Sequence, residues 1–262
     1  MELSKIKVRL SKNYYLYDFL LRLLHFGSFK NEKELYFKKL KKTICNFMEF
    51  LEENRGRSFE FFVRHLSEFD NPYFEKLWDE LYPCLKRQRS QIGKVILKHG
   101  KSYLREILRF TKIRKYPYRE ILVYLSFPAI EEIKPKKYRS TGTFTIHNEK
   151  CIVTLGLEPN FKCRNGRDLF ILWHELIHSL DIPGRVWCDI DEAIAQLYGD
   201  MVSGRPREII EDRIKAIFYH KYPKEIALSM IETCLNWNWK NNDIFQLKFA
   251  LANLYKNALE KT

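Results

Sequence analysis

The segment Asp168-Leu169-Phe170-Ile171-Leu172-Trp173-His174-Glu175-Leu176-Ile177-His178-Ser179-Leu180 is apolar almost throughout, and the exceptions carry the chemistry. Leu169, Leu172, Trp173, Leu176 and Leu180 fall on one helical face, while Phe170, Ile171 and Ile177 make the other faces apolar too. A helix that is apolar all round is buried. The polar side chains His174, Glu175 and His178 then need partners inside the protein. Two histidines four residues apart lie one turn apart on the same face and can share one metal ion. The glutamate between them stands beside such an ion, where it can take a proton from water. Zinc suits this arrangement when three protein ligands leave one position open. The competing reading is a pair of histidines hydrogen-bonded in the core or lying on the helix surface.

A third ligand has to come from outside this helix. A continuation His-Glu-x-x-His-x-x-Gly-x-x-His would need Gly at 181 and His at 184, where the chain has Asp181 and Gly184, so the metzincin pattern is excluded. Downstream, Asp191-Glu192-Ala193-Ile194-Ala195-Gln196-Leu197-Tyr198-Gly199-Asp200 resembles the second helix of the gluzincins, the thermolysin-like and aminopeptidase-like zinc peptidases. The resemblance spans residues 168–203 and none of the N-terminal half. It implies a Zn2+ cofactor held by His174, His178 and Glu192, and Glu175 as general base in peptide-bond hydrolysis. It also implies a downstream His or Tyr that stabilises the anionic intermediate. By order along the chain Tyr219, His220 and Tyr222 are candidates, Tyr198 less so.

The chain departs from that family in two places. Only 13 residues separate His178 from Glu192, fewer than in large members, and Gln196 stands where thermolysin-like proteins carry an Asp that supports a ligand histidine. Asp181 is another source of such support. Read from the residues alone, Glu192 stays open. Asp189-x-x-Glu192 fits a capping box. Asp189, Glu192, Gln196 and Ser203 fit a solvated stripe opposite Ile190, Ala193, Ile194, Leu197 and Met201, and Asp189, Asp191 or Cys188 are other third ligands.

Outward from this core the chain reads as α+β and predominantly helical. Residues 12–112 show helical spacing, as in Leu16, Phe19, Leu20, Leu23 and Leu24, with breaks at Gly27-Ser28, Asn54-Arg55-Gly56, Asn71-Pro72, Pro83 and Gly100. Sheet is expected only over 119–156: a strand at Ile121–Leu125, then a hairpin of Thr141–Ile146 and Cys151–Leu155 around a polar turn. Either hairpin strand is a candidate edge for an extended substrate, or the hairpin only covers the active-site helix. Asp168 is the expected cap of the His-Glu-x-x-His helix. Helices follow over 189–203, 206–219, 224–236 and 241–259. A boundary near 115 would divide a helical region, 1–115, of unassigned role from a zincin-like domain, 116–262.

With 262 residues, 45% hydrophobic and 30% charged, the chain has enough apolar material for a sizeable core. Met1–Leu10 has no apolar signal core, and Leu16–Phe26 is interrupted by Asp18, Arg22 and His25. No membrane span and a cytoplasmic location are therefore expected. The six cysteines include no Cys-x-x-Cys pair, which argues against a zinc ribbon. The net charge of +13 raises the prospect of anionic partners. Yet residues 151–204 hold eight acids against Lys162, Arg164, Arg167 and Arg185, so the excess lies outside the metal segment. A Lys-, Arg-, Glu- and Ile-rich, Gln-poor composition also fits a thermophile. The clusters Lys38-Lys39, Lys41-Lys42, Lys86-Arg87 with Arg89, and Lys134 with Lys136, Lys137 and Arg139 form no nucleic-acid motif, so no specific nucleic-acid partner is expected. The expected partner is a peptide or protein substrate. The alternative is a vestigial zincin-like regulatory protein whose basic helical region contacts protein or nucleic acid.

Overall fold

The structure, a computed structural model, describes residues 4–24, 30–126, 128–132, 137–147, 150–180, 188–238 and 240–259. Within them the fold is α+β and predominantly helical, with nine α-helices and six short strands. Among the described residues no helix is long and apolar enough to cross a membrane. The chain forms two compact units, each assembled from separated stretches. One takes Ile6–Lys94 and Glu120–Cys163; the other takes Met1–Lys5, Val95–Arg119 and Arg164–Thr262.

The first unit holds nearly all of β1 (Lys5–Arg9), then α1 (Lys12–Leu24), α2 (Lys30–Glu53), α3 (Phe59–His65) and the first part of α4 (Pro72–Thr111). It also holds β2 (Glu120–Ser126), β3 (Ala129–Glu132), β4 (Lys137–Arg139), β5 (Thr141–His147) and β6 (Lys150–Gly156). Four strands make a sheet in the order β1-β2-β6-β5, and β3 pairs with β4 separately. β6 runs parallel to β2, with Val153 opposite Val123, and antiparallel to β5, with Val153 opposite Phe144. Flanked on both sides, β6 is buried from Cys151 to Gly156 and, Thr154 apart, reads as an apolar run. Cys151–Leu155 therefore has no free edge; of the two hairpin strands only β5 is an edge strand. α1 lies on this sheet: Tyr14 stacks on Tyr124 at 4.0 Å and its hydroxyl meets Thr154, while Ser126 donates to Asp18.

Two expectations fail here. Sheet is not confined to 119–156, because Lys5-Ile6-Lys7-Val8-Arg9 forms β1. Its side chains alternate, exposed at Lys5, Lys7 and Arg9 and half-buried at Ile6 and Val8, the period a strand needs. Three cations on so short an edge strand also discourage pairing with other chains. Nor do Pro83 and Gly100 interrupt the helix: α4 runs 40 residues from Pro72 to Thr111. A proline within a helix frees the carbonyl four residues back. Here that residue is Asp79, and both Asp79 and Pro83 are exposed, so water can serve the carbonyl. The break at Asn71-Pro72 is real. The Asn71 side chain accepts from the amides of Tyr73 and Phe74, and Pro72 occupies the first helical position.

The second unit holds the last part of α4, then α5 (Phe170–His178), α6 (Cys188–Val202), α7 (Arg207–Tyr219), α8 (Lys224–Leu235) and α9 (Ile244–Leu259). α5 is entered through a 3-10 turn, Gly166–Leu169, and Asp168 is not its cap. Asn165 caps the turn, and Asp168 returns the favour by accepting from the amides of Asn165 and Arg164. Trp173 is fully buried, stacked on Tyr103 of α4 at 4.7 Å, and its indole donates to the Gly166 carbonyl at 2.7 Å. A Cβ on Gly166 would stand 2.0 Å from the Tyr103 ring, so this corner needs glycine. Losing such an indole to alanine costs about 3–5 kcal/mol. At the other end of α5 the Tyr116 hydroxyl bonds the Leu176 carbonyl at 3.2 Å, and Tyr118 bonds that of Ser179 at 3.0 Å. Both ends of this one helix are thereby fixed.

Candidate metal centre

α5 presents His174 and His178 on one face, and α6 brings Glu192 to them from 14 residues downstream. The two Nε2 atoms lie 3.0 Å apart. The Glu192 carboxylate straddles them, with Oε1 3.3 Å from His174 Nε2 and Oε2 3.1 Å from His178 Nε2. It is thus turned to the histidines, as a ligand would be. Metal–ligand distances of about 2.0–2.2 Å in a tetrahedral site set donor separations of about 3.3–3.6 Å. The observed triangle is a few tenths of an ångström tighter, a difference that small side-chain rotations absorb. Three electron-pair donors at this spacing repel one another unless a proton or a cation lies among them. The buried Nδ1 of His174 has no hydrogen-bond partner among the described residues. His174, His178 and Glu192 thus form a group able to hold a metal ion.

Electrostatics follow from burial and this convergence. Burial disfavours the His174 imidazolium, but the hydrogen bond and charge of Glu192 outweigh it and leave the ring above its ordinary pKa. Burial pushes Glu192 up, and the two histidines pull it back far below the usual carboxylate range. Glu175 is 8% exposed; burial raises its pKa against the pull of both histidines. A carboxylate with a raised pKa beside a metal-binding group is suited to accept a proton.

α6 approaches α5 closely at Gly199. A Cβ there would meet Phe170 Cε2 at 3.1 Å and His174 Cα and Cβ at 3.3 Å. Next to it lies a polar cluster that the sequence reading missed. The Asp200 side chain is wholly buried, 2.9 Å from both Arg205 Nε and Arg213 Nη1, and accepts from Gln196 Nε2 at 2.7 Å. Both guanidinium groups lie over the Phe170 ring, at 5.0 and 4.8 Å from its centre. The proposed solvated stripe on α6 is therefore wrong in part. Ser203 is buried, and Gln196 is half-buried and committed to Asp200. The spacing Glu192, Gln196, Asp200, four residues each, was the available signal.

Two of the three alternative ligands, Asp189 and Asp191, point elsewhere. Asp191 pairs with buried Lys248 of α9 at 2.8 Å, and Asp189 with Lys221 at 3.6 Å. Asp181 and the Cys188 side chain lie outside the described residues. Tyr222 packs on Phe218 and Tyr255, and Tyr219 and His220 are exposed. Tyr198 is buried in the core. Set against protein-family models, curated proteins and solved structures, the chain matches none.

Proposed function

We propose that this chain is a zinc-dependent peptidase of gluzincin type, with His174, His178 and Glu192 as ligands and Glu175 as general base. The observation that carries this reading is the meeting of both Nε2 atoms and the Glu192 carboxylate at 3.0–3.3 Å. Two imidazoles and one carboxylate suit zinc rather than magnesium or calcium. A zinc ion in that position supplies Lewis-acid polarisation of a carbonyl and lowers the pKa of water toward neutrality. Glu175 then takes the proton of the attacking water and passes it to the departing amine nitrogen. Its burial raises its pKa and so favours its taking up that proton.

Elemental analysis tests the site. Wild type should carry one zinc per chain and His174→Ala none; iron in its place would point to oxidative chemistry on the same three ligands. Glu175→Gln should keep the metal and lose cleavage of a mixed peptide library. If Glu175→Gln cleaves as well as wild type, Glu175 is not the base. If zinc-loaded wild type cleaves nothing, the vestigial binding protein takes precedence.

A further inference from the structure

α6 reaches the two histidines with a side chain that is itself half exposed, 48% for Glu192. Such a carboxylate is placed by what anchors its helix rather than by packing around it. Two turns on, Asp200 supplies an anchor with no exposure at all. It joins three pieces of chain: Gln196 on its own helix, Arg205 in the turn after α6, and Arg213 on α7. The turn is formed by Gly204, whose φ of +63° only glycine adopts easily, and by the Arg205 amide, which bonds the Asp200 carbonyl at 3.0 Å. The two guanidinium groups close over Phe170, whose ring centre lies 5.7 Å from that of His174. Phe170 and His174 are also the residues that α6 touches at Gly199. The ionic cluster and the helix contact thus act on the same side of α5.

Resting on the metal-centre reading above, we infer that Asp200 is a positioning residue for Glu192. With Arg205 and Arg213 it locks α6 against Phe170 and His174 of α5, and so fixes the Glu192 carboxylate at ligand distance from both histidines. A buried carboxylate between two guanidinium groups is a costly feature to keep for stability alone, since apolar packing serves that end as well. Groups that orient ligands from behind typically govern metal affinity by about 10–100-fold.

The test uses cobalt(II) as the probe on full-length metal-free protein. Affinity is measured against a competing chelator, and the ligand-field absorption of the bound ion reports its geometry. Melting of the metal-free protein is followed separately. Asp200→Asn should bind cobalt about 10–100-fold more weakly than wild type, with an altered absorption band, in protein that still melts cooperatively. Asp200→Glu should recover part of the affinity. Arg213→Gln leaves Arg205 and Gln196 on Asp200; it should give a smaller loss of the same kind, and it decides the matter if Asp200→Asn does not fold. Folded variants that bind cobalt with wild-type affinity and spectrum, whatever their melting temperature, overturn the inference and leave Asp200 a structural residue. Glu192→Ala separates the two levels. If it also binds as wild type does, the ligand assignment itself is wrong. If it alone loses cobalt, only the role of Asp200 is lost.

Discussion

Two glycine-to-alanine substitutions in helices should move stability in opposite directions. In a helix interior Gly→Ala ordinarily gains about 1 kcal/mol. Gly93, within α4, has nothing within 4 Å of where a Cβ would lie. Gly93→Ala should therefore collect that gain and raise Tm by roughly 2–4 °C for a chain of this size. Gly199 lies in α6, where the added methyl would stand 3.1 Å from Phe170 Cε2 and 3.3 Å from His174 Cα and Cβ. Carbon atoms pack at about 3.5–4.0 Å, so a few tenths of an ångström are missing. His174 Cα is backbone and cannot rotate away, and the Phe170 ring lies under two guanidinium groups. Overpacking of this kind costs about 1–3 kcal/mol. Against the propensity gain, a net loss of about 1 kcal/mol remains, or a Tm about 2–4 °C lower. Scanning calorimetry of both variants beside wild type measures the difference directly. A Gly199→Ala protein as stable as Gly93→Ala would show that α6 does not press on α5 at His174. The same variant should bind cobalt more weakly, since relief of the clash moves the helix that carries Glu192.

Thiol alkylation at neutral pH should modify exposed Cys45 and spare Cys234, whose thiol burial pushes up to about 12. Mass spectrometry finding Cys234 modified as fast as Cys45 would mean that α8 opens freely. Lys7 holds Glu120 below its ordinary pKa, so the pair's contribution, about 0.2–1 kcal/mol, is present above the unfolded carboxylate pKa and fades as pH falls through the folded one. Amide protection of Lys5–Arg9, corrected for intrinsic rates, should drop over that acid range and stay flat in Lys7→Ala; unchanged protection in wild type would refute the linkage. In titrations at physiological salt with excess unrelated DNA and RNA, no sequence preference should survive, because the cations are scattered among acids and serve phosphate attraction only. Tight binding through the competitor would favour a nucleic-acid function.

Much of the helical framework was legible because periodicity is strong where a helix has one buried face. α7, α8 and α9 fall within a few residues of their expected bounds. The candidate metal group drew notice for another reason: His174, Glu175 and His178 sit in a segment otherwise too apolar to hold them unpartnered. What escaped depends on the folded surroundings of a residue, which local pattern does not carry. Pro83 reads as a break until its exposure on α4 is known. β1 is five residues long and gains its identity only by joining β2. Asp200 looks like any helical acid until Arg205 and Arg213 fold over it. Glu192 stood between capping and ligation because local spacing fits both; only the placement of α6 against α5 turns its carboxylate to the histidines.

The interleaving of the two units bears on how the protein is made. During synthesis the unit containing the sheet has all its strands once residue 163 has emerged, whereas the other must wait for the C-terminal helices. Residues 95–119 belong to that later unit but are translated within the earlier one, so they exist for a time without their final partners. The second half of α4 would then expose Leu104, Ile107 and Leu108, all buried in the finished protein, and nascent surfaces of this kind invite chaperones. No single cut in the chain separates the units, so limited proteolysis should yield nicked protein whose fragments stay together rather than two free domains.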